Sequence, residues 1–186
     1  MITDHPLKEL WLLRYYTKGS DPRASLMDMS TEEAIVHVER YSRYRVNGSS
    51  SQYVLKRRLV EQWLVTEAGK LGTTLDNKVP LYFYLSGERQ PSRSVRPEEF
   101  ISVRAGIIPQ RFVTFTFDDT FINHAVAVEK RRLHFHHPLH GQVLTARQVA
   151  KAIKEYGWLP SHDPAGSGPR YIEAQVWTRS IPGLQK

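Results

Sequence analysis

The sequence predicts an α/β (α+β) fold, with a mixed or largely antiparallel sheet of about five strands and a helical hairpin packed on it. Two patterns predict this fold. Capped amphipathic helices occupy much of residues 1–72, and short runs of β-forming residues recur from residue 79 onward. The 186 residues have the usual length of one domain. We therefore expect a single domain over residues 1–186, helical to about residue 72 and sheet-rich over about 79–186.

The best-defined strand lies within residues 111–121. Phenylalanine and threonine alternate there, and both favour strands, so one face is aromatic and the other carries hydroxyl groups. Asp118 and Asp119 end the run as turn formers or as the cap of a short helix through residue 127. Such a strand fits a core behind it and a pocket in front. The two faces carry Phe115 and Phe117 on one side and Thr114 and Thr116 on the other.

Two helices are predicted to form the hairpin. Ser30 and Glu33 bracket a capping box that opens a helix to about residue 45. A second helix runs from about residue 52 to residue 71 and stops at Gly72. We expect its core face to carry Leu55, Leu59, Trp63 and Leu64, and its exposed face to carry Lys56, Arg57 and Arg58.

The segment before this hairpin fits two structures. Asp4 and Pro6 favour a helix start, and apolar residues then follow at helical spacing as far as Arg14. Residues 10–16 could instead form a strand. We favour the helix and keep the strand as the alternative.

Five further elements complete the prediction. Residues 79–85 are apolar on both faces, which is typical of a central, covered strand, and residues 100–103 form a short strand. Residues 131–137 can form another. Thr145 and Gln148 form a second capping box, which opens a helix to Tyr156. Residues 170–178 form the last strand, on which Glu173 and Gln175 share one face.

Composition bounds the function. The formal charge of +7, from 26 basic and 19 acidic side chains, indicates an anionic partner such as nucleic acid, unless this is simply a basic protein. The absence of cysteine excludes disulfides and thiolate sites and fits a reducing compartment. No apolar run approaches the roughly 20 residues of a membrane span, and the first residues lack a signal-peptide pattern. We expect a cytoplasmic protein without membrane contact.

Glu173 is the strongest candidate for a catalytic carboxylate in the sequence. A strand holds a side chain in a fixed direction, which a general base or a substrate-orienting group requires. The alternative is that Glu173 is one of the polar residues that the outer face of an edge strand normally carries.

Three segments together resemble DarT-type DNA ADP-ribosyltransferases. Val-Pro-Leu-Tyr-Phe-Tyr-Leu at 79–85 is similar to that family's Val-Pro-Phe-Tyr-Phe strand. The threonine-bearing strand and the glutamate strand Arg-Tyr-Ile-Glu-Ala-Gln-Val-Trp at 170–177 follow in the family's order. The resemblance implies that NAD is a substrate and that Glu173 orients its nicotinamide ribose or acts on the acceptor. It further implies that the nicotinamide pocket is formed by Thr114 and Thr116, with Tyr82 or Tyr84 stacking nearby and Arg14 as the early cationic residue.

Two other functions remain open. Asp118 or Asp119 with Glu173, and with Gln175 in the place of a lysine, resembles the site of a magnesium-dependent nuclease. A non-enzymatic nucleic-acid or protein binding module would need only the basic surface. Its expected phosphate contacts are Arg89, Arg93, Arg96 and Arg111. Four histidines lie close together in the sequence, at His134, His136, His137 and His140. We expect them to lie on the surface and not to form a metal site.

Overall fold

The computed structural model describes residues 5–16, 19–40, 48–89, 99–132, 137–157 and 171–183. It confirms the α+β class and a five-stranded sheet, and every strand pairing within it is antiparallel. The strands are β1 Trp11–Tyr16, β2 Leu81–Ser86, β3 Glu99–Arg104, β4 Val113–Phe117 and β5 Ile172–Val176. The helices are α1 Thr31–Arg40, α2 Ser50–Lys70, α3 Thr120–Ala127 and α4 Ala146–Tyr156.

The strands lie in the order β3-β1-β2-β5-β4. Strand β2 therefore lies at the centre, as its apolar faces predicted. Strand β5 is also internal, because it pairs with β2 on one side and with β4 on the other. Its five residues are all buried. The last strand of the chain is thus a covered strand and not an edge strand.

Helices cover both faces of the sheet. Helix α4 packs its buried residues Ala146, Val149 and Ala152 into the main core with the aliphatic and phenylalanine face of the strands. Helix α2 covers part of the other face, where Val60, Leu64 and Ala68 pack with Trp177. Helix α1 packs on α2 through a third, smaller apolar cluster. The predicted hairpin on a sheet is therefore present, as one layer of three.

The capping boxes are confirmed. The Ser30 hydroxyl accepts from the amide of Glu33 at 3.2 Å, and the Glu33 carboxylate accepts from the amide of Ser30 at 2.9 Å. Thr145 and Gln148 make the equivalent pair at the start of α4. Helix α2 begins two residues before the predicted start because Ser49 caps it through Gln52. Short-range signals of this kind need no knowledge of the fold.

The predicted core face of α2 is only partly correct. Leu64 is fully buried, but Leu55 and Leu59 are each 56% exposed. The buried side instead carries Val54, Val60 and Ala68 together with the charged residue Glu61. A buried charged residue and exposed leucines are the reverse of the usual pattern of an amphipathic helix. The spacing of the hydrophobic residues therefore predicted the wrong face of α2 as the buried one.

The helix predicted before residue 16 is wrong, and the strand alternative is correct. Strand β1 pairs with β2 and with β3, so the predicted helical N-terminal part also contributes a strand inside the sheet. Both Leu12 and Leu13 are buried because the two faces of β1 are covered at this point. Pairing with two distant strands outweighs the local helical spacing, which is a weak preference.

The sheet opens between β1 and β2. Strand β1 pairs with β2 only from Trp11 to Leu13, whereas β2 stays paired with β5 down to its first residue. Arg14 fills the gap. Its guanidinium donates to the carbonyl oxygens of Tyr82 at 3.0 Å, Pro22 at 2.7 Å and Ala24 at 2.6 Å. The arginine thus satisfies the strand where pairing stops and binds the following loop to it.

We predict that Arg14→Ala lowers the free energy of unfolding by about 2–4 kcal/mol, because three carbonyl groups lose a charged donor. Urea unfolding at constant m-value measures this. Arg23→Ala is the matched control, because the ion pair of Arg23 with Asp21 is 40% and 38% exposed and contributes little. Equal losses in the two variants would contradict the role of Arg14.

Candidate functional site

A cleft of about 320 Å³ opens where β1 leaves β2. Strands β2 and β5 form its floor, helices α1 and α2 and the start of α3 form one side, and the loop that Arg14 holds forms another. Aromatic and charged side chains dominate the lining. They include Tyr15, Tyr16, Tyr53, Tyr82, Tyr84 and Phe121 among the aromatic residues, and Arg14, His37, Arg57, Asp119 and Glu173 among the polar ones.

Glu173 lies in this cleft and is only 5% exposed. Burial raises its pKa to about 8, and the charge of Asp119 acts in the same direction. Arg57 and hydrogen bonds from Gln175 and Thr120 oppose the shift. The acid is therefore largely protonated at neutral pH and can exchange a proton near it. It is not the exposed polar residue of an edge strand.

Arg57 is the main cleft residue that the sequence did not reveal. It was predicted on an exposed face, but its side chain is only 12% exposed. The guanidinium carbon lies 3.9 Å from the ring centroid of Tyr82 and 5.1 Å from that of Phe121. Its Nη1 donates to the hydroxyl of Thr120 at 3.3 Å. A cation between two aromatic rings is well fixed.

Glu61 is the buried partner of Arg57. Its Oε1 lies 3.4 Å from Nε of Arg57, one helical turn away, and accepts from the hydroxyl of Tyr82 at 3.1 Å. Burial raises the pKa of Glu61, while Arg57 and Tyr82 act against that rise. An i,i+4 pair of opposite charges within the apolar residues of α2 was the sequence signal, but the same spacing is commonplace on solvated helix faces.

Asp119 joins α3 to the cleft. It caps the helix by accepting from the amide of Phe121 at 2.6 Å, and its second oxygen accepts from the hydroxyl of Tyr171 at 3.2 Å. The cap is thus Asp119 rather than Asp118, which adopts a left-handed backbone with φ of 68°. Burial and the nearby acids raise the pKa of Tyr171, and they raise that of Tyr84 to about 12. Both phenols stay neutral.

Thr114 and Thr116 are not among the residues that line the cleft, and both are fully buried. Thr114 donates to Gln175 at 3.1 Å and accepts from the indole of Trp177 at 2.9 Å. Thr116 accepts from the amide of Gln175 at 3.1 Å. Gln175 in turn donates to Glu173 at 3.4 Å. The threonines support the strand that carries the acid: Thr116 lies opposite Glu173 in the sheet, and the side chains of both threonines are linked to it through Gln175.

The same contacts bear on the nuclease hypothesis. Gln175, proposed in the place of a lysine, is 0% exposed and bound within this network. Across the residues that the structure describes, no group of three or more His, Asp or Glu side chains could hold a metal ion. The nuclease stays a hypothesis, and no further observation favours it.

The described histidines of the cluster are not on the surface. His137 and His140 are 7% and 6% exposed, and the ring of His137 stacks on Phe117 at 5.1 Å between centroids. The core of the sheet therefore accounts for them. His134 and His136 lie outside the described residues, as does most of the strand proposed at 131–137.

Of the four arginines predicted to contact phosphate, the two that the structure describes do not share a surface. Arg89 lies 5.4 Å from the ring of Trp11, which pairs with the last residue of β2. Arg111 is exposed two residues before β4, whose first residue lies level with the start of β2. The two residues therefore lie at opposite ends of the strands. Arg93 and Arg96 lie outside the described residues.

A row of aromatic rings crosses the part of the sheet beside the cleft. Tyr171 contacts Tyr84 at 4.9 Å between ring centroids, Tyr84 contacts Tyr15 at 5.8 Å, and Tyr15 contacts Phe100 at 6.5 Å. The row begins beside Asp119 and runs to the strand β3 at the edge of the sheet. Tyr84 and Phe100 are each 37% exposed, so part of the row is open to a ligand.

We predict that Glu173→Gln becomes progressively more stable than the wild type as the pH rises. The pKa of Glu173 is about 8 in the fold and 4.5 in its ordinary state, so the wild type loses stability between these values as its unfolded form ionises. Glutamine resembles the protonated acid and does not ionise. Urea unfolding at pH 5 and pH 8 measures the difference.

The control for this effect is Glu88→Gln, because Glu88 is exposed and its exchange should open no such gap. A Glu173→Gln difference that stays constant over the whole range would mean that the carboxyl ionises equally well in the folded and unfolded chain.

We also predict that Thr114→Val lowers the free energy of unfolding by about 1–3 kcal/mol, because a buried indole and a buried amide lose their partner. Ligand affinity of the cleft should not change. Thr66→Val, at an exposed hydroxyl on α2, is the matched control. Chemical unfolding and ligand titration of both variants check this, and a weakened ligand at unchanged stability would place Thr114 in the site.

Comparisons with protein-family models, curated proteins and solved structures find no match to this chain. No helix in the described ranges is long and apolar enough to cross a membrane. The chemistry of the cleft therefore has to follow from its own residues. These are a buried acid, a fixed arginine, a capping aspartate and a surround of tyrosines.

Proposed function

We propose that the chain is an ADP-ribosyltransferase-like enzyme that binds NAD in this cleft and uses Glu173 on the nicotinamide ribose. One observation carries the proposal: the cleft holds a buried carboxyl group, on an internal strand, with a pKa close to neutral pH. A group of this kind is a candidate functional residue because its environment perturbs its ionisation and fixes its position.

The proposed reaction requires such an acid. The bond between the ribose C1′ and the nicotinamide nitrogen breaks, its electron pair goes to the nitrogen, and neutral nicotinamide leaves. Positive charge develops on the ribose, as in other glycosidic cleavages, and a carboxylate beside it stabilises that charge. An oxygen or nitrogen of the acceptor then bonds to C1′ and loses its proton to a base. Glu173 can take that proton because its pKa lies near neutrality.

The surroundings of Glu173 support a flat, cationic ring as the ligand. Tyr82, Tyr84 and Phe121 supply aromatic faces in the same cleft, and aromatic faces attract cations. Arg57 supplies N–H donors that suit a carboxamide oxygen. Asp119 adds a second acid, and the two carboxyl groups complement the charge of a nicotinamide ring.

The aromatic row supports nucleic acid as the acceptor. Bases stack on aromatic side chains with little regard to sequence, and the row from Phe100 to Tyr171 leads into the cleft. The formal charge of +7 favours the approach of a polyanion. The same row would serve a non-enzymatic nucleic-acid binding module, which is the second candidate function. The two differ in whether Glu173 matters.

We predict that NAD raises the melting temperature of the wild type, with about 2.7 kcal/mol of stabilisation at a hundredfold its dissociation constant. Glu173→Gln should fold but lose NAD cleavage about 10²–10⁴-fold, because the charge on the ribose loses its carboxylate. Thermal shift and nicotinamide release measure the two effects. Glu88→Gln, an exposed acid, is the control and should retain full activity.

The proposal also fixes a pH dependence. Because a cationic ring favours the ionised carboxylate, NAD should bind more tightly as the pH rises through about 8, the pKa of free Glu173. Glu173→Gln should lack this dependence. Oligonucleotide binding without any effect of NAD, equal in the wild type and Glu173→Gln, would instead support the binding module.

A further inference from the structure

A buried ion pair lies beside the proposed catalytic acid, and of its two members only Arg57 has a role in the proposed reaction, as a donor to the ligand. Arg57 and Glu61 are 12% and 6% exposed in their side chains, and both belong to α2. Removing two charges from water costs free energy, and such pairs are often no better for stability than apolar residues of the same size. A pair kept at the edge of a cleft therefore suggests a role in the site.

The contacts show how Glu61 acts on Arg57. It lies 3.4 Å from the Nε atom and also accepts from the hydroxyl of Tyr82, whose ring the guanidinium covers at 3.9 Å. Glu61 thus fixes both the arginine and the ring beneath it. Only Nη1, through Thr120, makes a further hydrogen bond among the described contacts of Arg57. Arg57 also interacts electrostatically with Glu173, so two acids share one cation.

We propose that Glu61 is a positioning residue that keeps Arg57 from pairing fully with Glu173, so that the catalytic acid retains its proton until the ligand arrives. Resting on the proposed function, this assigns to Glu61 the control of when Glu173 becomes charged. Without Glu61 the guanidinium is free to turn toward Glu173, form a direct ion pair and occupy the place of the cationic ring.

Other titratable and charged groups near Glu173 and Glu61 also influence the ionisation of the two acids. Helix α2 supplies Tyr53 besides the pair, and β2 supplies Tyr82 and Tyr84. The start of α3 supplies Asp119, and the approach to β5 supplies Tyr171. Asp28 acts on Glu61 from the loop before α1. Arg14 and His37 also line the cleft.

The test is the titration of the Glu173 carboxyl carbon by ¹³C NMR in the free protein, with Glu173→Gln used to assign the signal. In Glu61→Gln the midpoint should fall by about one pH unit or more, because a direct arginine partner favours the carboxylate. Glu67→Gln removes the same charge from α2 at a more exposed position and should leave the midpoint unchanged. An unchanged midpoint in Glu61→Gln would overturn the proposal.

Loss of a negative charge alone could also lower the midpoint, and two variants separate this effect. Glu61→Asp keeps the charge but withdraws it from Arg57, so a lower midpoint supports the proposal and the wild-type value contradicts it. In an Arg57→Gln background, Glu61→Gln should produce little further shift. A full shift in that background would mean that Glu61 acts by its charge and not through Arg57.

NAD binding gives the second measurement and separates the two proposals. Glu61→Gln should weaken NAD binding relative to wild type at every pH, because the displaced guanidinium competes with the ring for Glu173. If the wild type binds no NAD, the proposed function fails while the titration still tests Glu61. If the wild type binds NAD and Glu61→Gln binds it equally well with the wild-type midpoint, the role of Glu61 fails and the function stands.

Discussion

The pairing of β5 with two neighbours is the constraint on which the cleft depends. Glu173 lies opposite Tyr84 on β2 and opposite Thr116 on β4, so the backbone on both sides fixes its direction. A shift of one residue would turn every side chain of the strand to the other face and place Glu173 in the aliphatic core. The carboxyl is therefore held on the face of the sheet that α2 covers, away from water, without needing an ion partner of its own.

The surroundings of Glu173 control whether its carboxyl group is charged. Burial disfavours its charge, and the nearby Asp119 disfavours it further, so the group is neutral for much of the accessible pH range. Arg57 supplies a positive charge, but its guanidinium also forms an ion pair with Glu61. Arg14 has a different role, since its guanidinium binds carbonyl oxygens of the following loop and of β2 where the pairing of β1 with β2 stops. On the proposed function, the cationic nicotinamide ring supplies the positive charge that stabilises the ionised form of Glu173.

Local signals in the sequence predicted much of the fold. The capping boxes at Ser30 and Thr145 depend on residues three apart, and the alternation before Asp118 depends on a period of two, so both were readable without tertiary structure. The strand β1 was less readable, because its pairing with β3 spans some ninety residues and competes with a local helical spacing. The prediction that Leu55 and Leu59 face the core failed for a related reason. Helix α2 lies over a polar cleft, so it turns charged residues inward and these leucines outward.

Part of the site was predictable, because Arg14, Tyr82 and Tyr84, which were expected to share a pocket with Glu173, line the cleft with it. Glu173 stood out because it is a carboxylate held in the middle of a strand, on the polar face that it shares with Gln175, but its burial depends on β5 lying inside the sheet, which no local pattern encodes. Arg57 was missed because an arginine followed by a glutamate four residues later usually marks a solvated helix face. Thr114 and Thr116 share the face of Glu173, yet face alone does not separate a cleft from the layer beneath a helix.

The most direct test of this account is the number of protons released when NAD binds, measured by calorimetry in two buffers of different ionisation enthalpy. Below about pH 8 the free protein holds a proton on Glu173, and a cationic ring should displace it. The account predicts a release approaching one proton near pH 7 in the wild type and none in Glu173→Gln. Binding of NAD without proton release, or equal release in the variant, would contradict it.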